Sequence, residues 1–274
     1  MNFVGFNIGQ FGDVVMNVVP CRALKAAHPG CHITLGIAQK YEAIKDLFLH
    51  NPLIDDIHIW EGYDHWPTEK DKRYMETRAN THSFFYAMPK HTRDDWWNYR
   101  HQVEEACLMH GLVPPQDLRI TLTKYWKPKP LYRSIAIAPF GAYGAGHKSL
   151  PVEKAERIVA FCRQQGFAVI QLGDESEPKL DGAVKVNQPL ATAVQFMTET
   201  CLLITVDTAM AWIASGYEHP TLGLYSDGYY GGARVCAIQP INKNATYLSA
   251  THCSQIPNEL IFEHIKQTNE KIRH

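Results

Sequence analysis

Residues Leu202 to Ser226 read L-L-I-T-V-D-T-A-M-A-W-I-A-S-G-Y-E-H-P-T-L-G-L-Y-S, and the order of these parts decides the fold class. Leu202 to Val206 is a short apolar, β-branched run that suits a buried strand, and Asp207-Thr208 supplies helix-capping chemistry at its end. Ala209 to Ala214 are small or apolar enough for a buried helix, and Gly216 suits its C-terminus. Pro220 stands ahead of a second apolar run, Thr221 to Tyr225. Strand, helix and strand in this order form a unit of a parallel sheet. In such a unit the helix begins at the carboxyl ends of the strands, where unpaired N–H groups and the helix dipole favour an anion such as a diphosphate.

The preceding segments fit the same sheet. Ser134 to Pro139 is a buried strand and the segment to about Gln165 ends in a helix; Phe167 to Leu172 is the next strand, and Leu190 to Thr200 a helix ahead of Leu202. Between strand and helix, Phe140 to Pro151 carries Gly141, Gly144, Gly146 and Lys148. Glycines and a lysine before a helix suit a phosphate cradle. It is not a Walker A loop, because Gly and Lys are not adjacent and no G-K-S or G-K-T occurs. The chain closes with a Gly-rich turn, Asp227 to Gly232, and a helix from about Asn258 to Ile272.

At the other end, Asn2 to Asn7, His32 to Ala38 and Asp56 to Trp60 read as strands, with helices over about Val14 to Ala27 and Tyr41 to Leu49. The βαβαβ alternation predicts a second parallel sheet. Gly12-Asp13 opens the first helix, where Asp13 reads as an N-cap. The loop lacks G-x-G-x-x-G, and Asp13 would repel a diphosphate, so no dinucleotide site is expected there. A helix ending near His110 and a strand over Arg119 to Thr123 follow, and Asp94 or Asp95 would cap that helix. Lys124 to Tyr132, with Pro128 and Pro130, reads as a linker.

Several of these motifs resemble glycosyltransferase family 9, the heptosyltransferase family. Its donor segment opens Asp-(Ser/Thr)-Gly, carries a His three residues after the glycine, and has a Pro before the next strand. Here Ala209 replaces the glycine and Trp212 the histidine. Gly12-Asp13, Pro20, Leu24-Lys25 and Pro29 follow the family's amino-terminal pattern, and Lys148-Ser149-Leu150-Pro151 its K-x-W-P stretch, with Leu150 for the aromatic. The resemblance covers Phe3 to Ile59 and Ile135 to Ser226, in a chain shorter than typical members.

The resemblance implies two Rossmann-like α/β domains facing across a cleft, the GT-B fold: an acceptor-side domain over 1–127 and a nucleotide-sugar domain over 128–274. It implies an enzyme that transfers a hexosyl, heptosyl or pentosyl group from an ADP-heptose-like nucleotide diphosphate sugar to an acceptor hydroxyl, with inversion. Asp13 would be the general base. Lys148, Gly144, Gly146, Glu175, Asp207, Thr208 and Ala209 would bind the donor, with Asp174 and Glu177 open for the place given to Glu175. Gly12 would border the acceptor. The sequence has no D-x-D or H-E-x-x-H, so neither a metal nor a cofactor is expected.

Composition bounds the rest. The 274 residues carry a net charge of -1, which gives no general pull toward nucleic acid or membrane. Seven cysteines without a C-x-x-C pair fit a reducing compartment, and no window suits a membrane span, so a cytoplasmic protein without integral membrane association is expected. Residues 61–101 form an insert rich in aromatics, with Trp66, Trp96 and Trp97 among them, seven basic residues balancing seven acidic ones. The rings read as filling for an irregular segment or as a stacking surface for a saccharide acceptor or a modified nucleic-acid base. A sugar-nucleotide epimerase and a non-catalytic nucleotide-sugar-binding protein are the remaining alternatives.

Overall fold

The computed structural model describes residues 2–7, 11–61, 73, 98–123, 133–141, 146–186, 189–227 and 235–273. It divides into two compact units, Met1–Tyr125 and Trp126–His274.

The first unit is built on a three-stranded parallel sheet in the order β1 (Asn2–Asn7), β2 (His32–Ala38), β3 (Asp56–Trp60). Six of the seven β2 residues are buried, as a central parallel strand covered on both faces requires. The expected single helix after β1 is two, α1 (Phe11–Met16) and α2 (Val18–Ala27). Pro20 is the cause: it has no N–H for the Met16 carbonyl four residues back, and its ring crowds that carbonyl. The chain passes the break at Asn17, whose N–H donates to the Val14 carbonyl at 3.2 Å and whose side-chain amide donates to the Asp13 carbonyl at 3.0 Å. Lys25 near the end of α2 reaches both the Cys31 carbonyl, at 2.7 Å, and Asp55, which also accepts from the Ile33 amide.

Two other expectations change. The helix after β2 is a 3-10 segment, Gln39–Leu47, burying Tyr41, Ile44 and Leu47. Arg119 to Thr123, expected as a strand, joins no sheet. Its backbone is spent on isolated partners: the Thr121 carbonyl accepts from Asn51, and the Thr123 amide donates to the Leu47 carbonyl. Between them, α3 (Gln102–Leu108) is capped by a reciprocal pair, His101 Nδ1 accepting from the Val103 amide and Glu104 accepting from the His101 amide. Asp94 and Asp95, expected in that role, lie outside the described residues.

The second unit has a six-stranded, wholly parallel sheet. Its strands are β4 (Ser134–Ala138), β5 (Ala168–Leu172), β6 (Val184–Val186), β7 (Leu202–Val206), β8 (Thr221–Ser226) and β9 (Ala245–Ala250), in the order β6-β5-β4-β7-β8-β9. Counted from β4 this is the 3-2-1-4-5-6 order of dinucleotide-binding folds. Every residue of β4, β7 and β8 is buried. Helices α4 (Val152–Gln164) and α8 (Asn258–Arg273) share one apolar layer, with Ile158, Val159, Ile261 and Ile265 packed on Ile135, Ile137 and Ile204, and with Phe161 stacked on Phe262 at 4.0 Å. Burying each such aliphatic side chain contributes about 1.5 to 3 kcal/mol. The remaining helices are α5 (Leu190–Glu199), α6 (Ala209–Gly216) and the single turn α7 (Val235–Ile238). Glycine is required in β8, because a Cβ on Gly223 would stand 2.4 Å from the Tyr247 ring. Among the described residues no helix is long and apolar enough to cross a membrane.

Candidate functional site

In an open parallel sheet, ligands bind at the carboxyl ends of the strands where the order reverses. In the second unit that point lies between β4 and β7, which pair in parallel with Ala138 opposite Thr205. The loops leaving these two strands therefore form the candidate site, and both were marked by sequence motifs.

The loop after β4 is folded back on its own base. The Leu150 amide donates to the Pro139 carbonyl and the Gly141 amide to Ser149 Oγ, each at 2.9 Å. Gly141 is needed for this approach, since a Cβ there would sit 3.0 Å from Lys148 Cβ and 3.1 Å from its carbonyl oxygen. Gly146 opens the 3-10 turn Gly146–Lys148 and is exposed; Gly144 lies outside the described residues. From this turn Lys148 Nζ reaches Asp207 Oδ2 at 2.6 Å, and the two side chains are only 17% and 16% exposed. A short, largely desolvated ion pair of this kind is a strong charge-assisted contact.

Asp207 and Thr208 are the residues between β7 and α6. Thr208 is the N-cap by position but its side chain makes no capping bond, and Asp207 is engaged by Lys148 rather than by the helix. The N–H groups of Ala209 and Met210 precede the first bond of α6, which the Ala211 amide makes to the Thr208 carbonyl at 3.1 Å. Thr208 Oγ1 lies 3.0 Å from Thr205 Oγ1, which is also 3.3 Å from the Ala138 carbonyl and 3.1 Å from that of Val206. Thr205 has one proton. If a carbonyl takes it, Thr208 donates to Thr205; if Thr208 accepts it, the Thr208 proton turns outward to a ligand. Trp212, which stands where the resembling family has its histidine, is buried within this helix.

The loop after β5, next to β4, carries the three carboxylates of Asp174, Glu175 and Glu177. Glu175 is exposed. Glu177 instead folds back over Gly173, where a Cβ would stand 1.9 Å from Glu177 Oε2, a buried atom with no hydrogen-bond partner among the described residues. Burial pushes its carboxyl above the ordinary value, while the Asp174 amide and Lys185 pull it down and the Asp174 carboxylate pushes it up. Of the three, Glu177 is thus the one whose carboxylate folds inward at the end of β5. The sequence held no signal for choosing it over Glu175, because the choice depends on the turn between them.

The remaining candidates belong to the first unit. Gly12 and Asp13 are the second and third residues of α1, both half-buried, so Asp13 is a first-turn carboxylate and not the N-cap. Acidic groups are favourable in that turn through the helix dipole. Trp66, Trp96 and Trp97 lie outside the described residues. Among the described residues no group of three or more His, Cys, Asp or Glu side chains is placed to hold a metal ion.

Solved structures align with nearly the whole chain. The E. coli ADP-heptose LPS heptosyltransferase II does so at a TM-score of 0.75 and 13% identity, covering 100% of both chains. A glycosyl transferase family 9 protein from Veillonella parvula DSM 2008 follows at 0.74 and 14%, covering 98% of this chain and 97% of that one. E. coli heptosyltransferase WaaC with ADP aligns at 0.69 and 11%, covering 98% of this chain and 100% of that one. No protein-family model and no curated protein matches the sequence. At these identities the likeness is one of fold: the chain has the α/β fold of the GT-B glycosyltransferases.

Proposed function

We infer that this protein transfers a sugar from a nucleoside diphosphate sugar to an acceptor hydroxyl, with inversion at the anomeric carbon. The observation that carries this reading is the Lys148–Asp207 pair at the reversal point of the sheet, beside the amides that open α6. A diphosphate carries more negative charge than the Asp207 carboxylate and competes for Lys148. Asp207, so released, accepts from hydroxyls of the sugar. The amides of Ala209 and Met210 and the Thr208 hydroxyl then meet the phosphate oxygens, and Glu177 meets hydroxyls at the nucleoside end. In the reaction the acceptor oxygen loses its proton to Asp13 and bonds to the anomeric carbon as the bond to the diphosphate oxygen breaks. The electron pair leaves with the diphosphate, where Lys148 and the helix N-terminus stabilise it.

Fold neighbours include WaaC with ADP and a dodecameric TibC heptosyltransferase with ADP-D-beta-D-heptose. These support an ADP-heptose-like donor, and the LPS heptosyltransferase II neighbour supports a saccharide hydroxyl as acceptor. A thermal-shift panel of ADP-, UDP-, GDP- and dTDP-sugars tests the reading. One class should stabilise the protein, by about 2.7 kcal/mol at a hundredfold excess over Kd. Release of nucleoside diphosphate should then require an added acceptor. No stabilisation by any of the four classes overturns the reading, and turnover without an acceptor replaces it with an epimerase or hydrolase.

A further inference from the structure

Lys185 sits in the short edge strand β6, and its ammonium donates to two carbonyls of the loop after β5: Glu177 at 2.5 Å and Glu175 at 3.1 Å. Those carbonyls belong to a tight turn. The Glu177 amide donates to the Asp174 carbonyl at 3.1 Å, and Asp174 Oδ1 accepts from the Ser176 amide and hydroxyl at 2.9 and 2.7 Å. Downstream, the buried Gln171 side chain donates to the Pro178 carbonyl and accepts from the Leu180 amide, so that part of the loop is fixed independently. The apex, from which Glu177 folds over Gly173, presents two of its carbonyls to the Lys185 ammonium. An ammonium suits the place because one compact group can satisfy two carbonyls that face it from different peptide planes.

We propose that Lys185 is a positioning residue for the donor, holding the Asp174–Glu177 turn through the carbonyls of Glu175 and Glu177 so that the Glu177 carboxylate meets a donor hydroxyl. This rests on the glycosyl-transfer reading above. The ammonium acts through the backbone of Glu177 and touches no reacting atom.

Calorimetry with ADP, UDP, GDP and CDP, and donor kinetics with the best-bound class, test it on the intact protein and on Lys185→Met, Lys185→Arg and Glu177→Gln. Lys185→Met should weaken nucleotide binding and raise donor KM about tenfold, the size of one useful hydrogen bond, with kcat within about twofold. Lys185→Arg should restore most of the loss, and Lys185→Met in the Glu177→Gln background should add nothing further. The groups facing Glu177 are Lys185 and Asp174, and removing the cation pushes the Glu177 carboxyl further up. Nucleotide affinity should therefore start to fall at a higher pH in Lys185→Met than in the wild type as the medium is acidified. Unchanged affinity in Lys185→Met beside a weakened Glu177→Gln overturns the inference and leaves glycosyl transfer standing. Wild-type protein that binds none of the four nucleotides overturns both.

Discussion

Lys25 and Lys148 each close on an aspartate, Asp55 at 2.5 Å and Asp207 at 2.6 Å, but at opposite ends of their sheets. Asp55 precedes β3 and accepts from Ile33 near the start of β2, so its pair lies at the amino ends of the strands. Burial pushes the Asp55 carboxyl up, yet the Lys25 ammonium and the Ile33 amide outweigh it and hold the group below its ordinary value. The second unit repeats the pattern at its own amino ends. Thr200, ahead of β7, donates to the Met197 carbonyl at 2.7 Å; the His219 carbonyl, ahead of β8, accepts from the Thr221 hydroxyl at 2.9 Å and the Asn242 side-chain amide at 2.8 Å. At the carboxyl ends, Lys148 and Asp207 stand beside the first amides of a helix. The difference follows from the crossover: helix C-termini return to the amino ends with carbonyls to satisfy, whereas helix N-termini leave the carboxyl ends with N–H groups to offer an anion. Amino-end residues should accordingly govern stability, and carboxyl-end residues binding and turnover.

The largest test of that division is Asp13→Asn, in the first turn of α1, the helix that follows β1. On the proposed role of Asp13 as the base, the change should cut turnover by about two to four orders of magnitude with donor binding nearly intact. Turnover within tenfold of wild type leaves Asp13 as a helix-dipole carboxylate. Next in size is an amino-end effect. Burial pushes the His219 imidazole down to about 4 from 6.5, so the folded chain keeps it neutral while the unfolded chain binds a proton. Its contribution to stability is complete above pH 6.5 and lost as the pH falls from there to about 4. That loss is on the order of 3 kcal/mol. Denaturant titrations at pH 8 and pH 4.5 should show a smaller acid loss in His219→Gln than in wild type, with equal nucleotide affinity at pH 8. Equal acid losses would remove His219 from the account.

The two lysines themselves come next. Lys148→Ala should weaken nucleoside diphosphate binding by about ten- to a hundredfold, for a charge-assisted contact of about 1.5 to 3 kcal/mol. Lys25→Met should cost only about 1 kcal/mol of stability and leave that affinity alone. Calorimetry and melting curves on both variants would break the comparison if the two phenotypes were exchanged or alike. The smallest effect is Thr208→Val, which should lower donor affinity about tenfold with the melting temperature almost unchanged. Unchanged affinity with lowered stability would make this helix start structural and keep the Thr208 proton on Thr205.

The strands that build the sheets were readable because a parallel strand covered on both faces is a continuous apolar run, as β4 and β7 are. The edge strands were not. β6 has three residues with Val184 exposed, and β9 is nowhere fully buried, so neither leaves an apolar run in the sequence. Arg119 to Thr123 misled in the other direction: its alternation is real, with Ile120 and Leu122 buried, but what it packs on is α2 and the 47–51 turn rather than a sheet. Pro20 carried the signal for the break at Asn17, and the amphipathic pattern running through it concealed that signal. For the site, Lys148, Asp207 and Thr208 were legible from local motifs. That Lys148 pairs with Asp207, that Thr208 shares its hydroxyl with Thr205, and that Glu177 rather than Glu175 turns inward were not.

By itself the sequence determined the parallel α/β class, the helix that starts at Asp207-Thr208, and the residue types available at each strand end. Apolar periodicity, capping and proline act over a few neighbouring residues, so they survive in a linear reading. Only the tertiary structure decided which of those ends meet. The strand order places β4 beside β7, so Lys148 and Asp207, far apart along the chain, become one desolvated charge pair at the point where the order reverses. It also let β6, through Lys185, reach back to the carbonyls of the turn that carries Glu177. Pairing of non-consecutive strands is set by how the whole apolar surface packs, and no single segment encodes it.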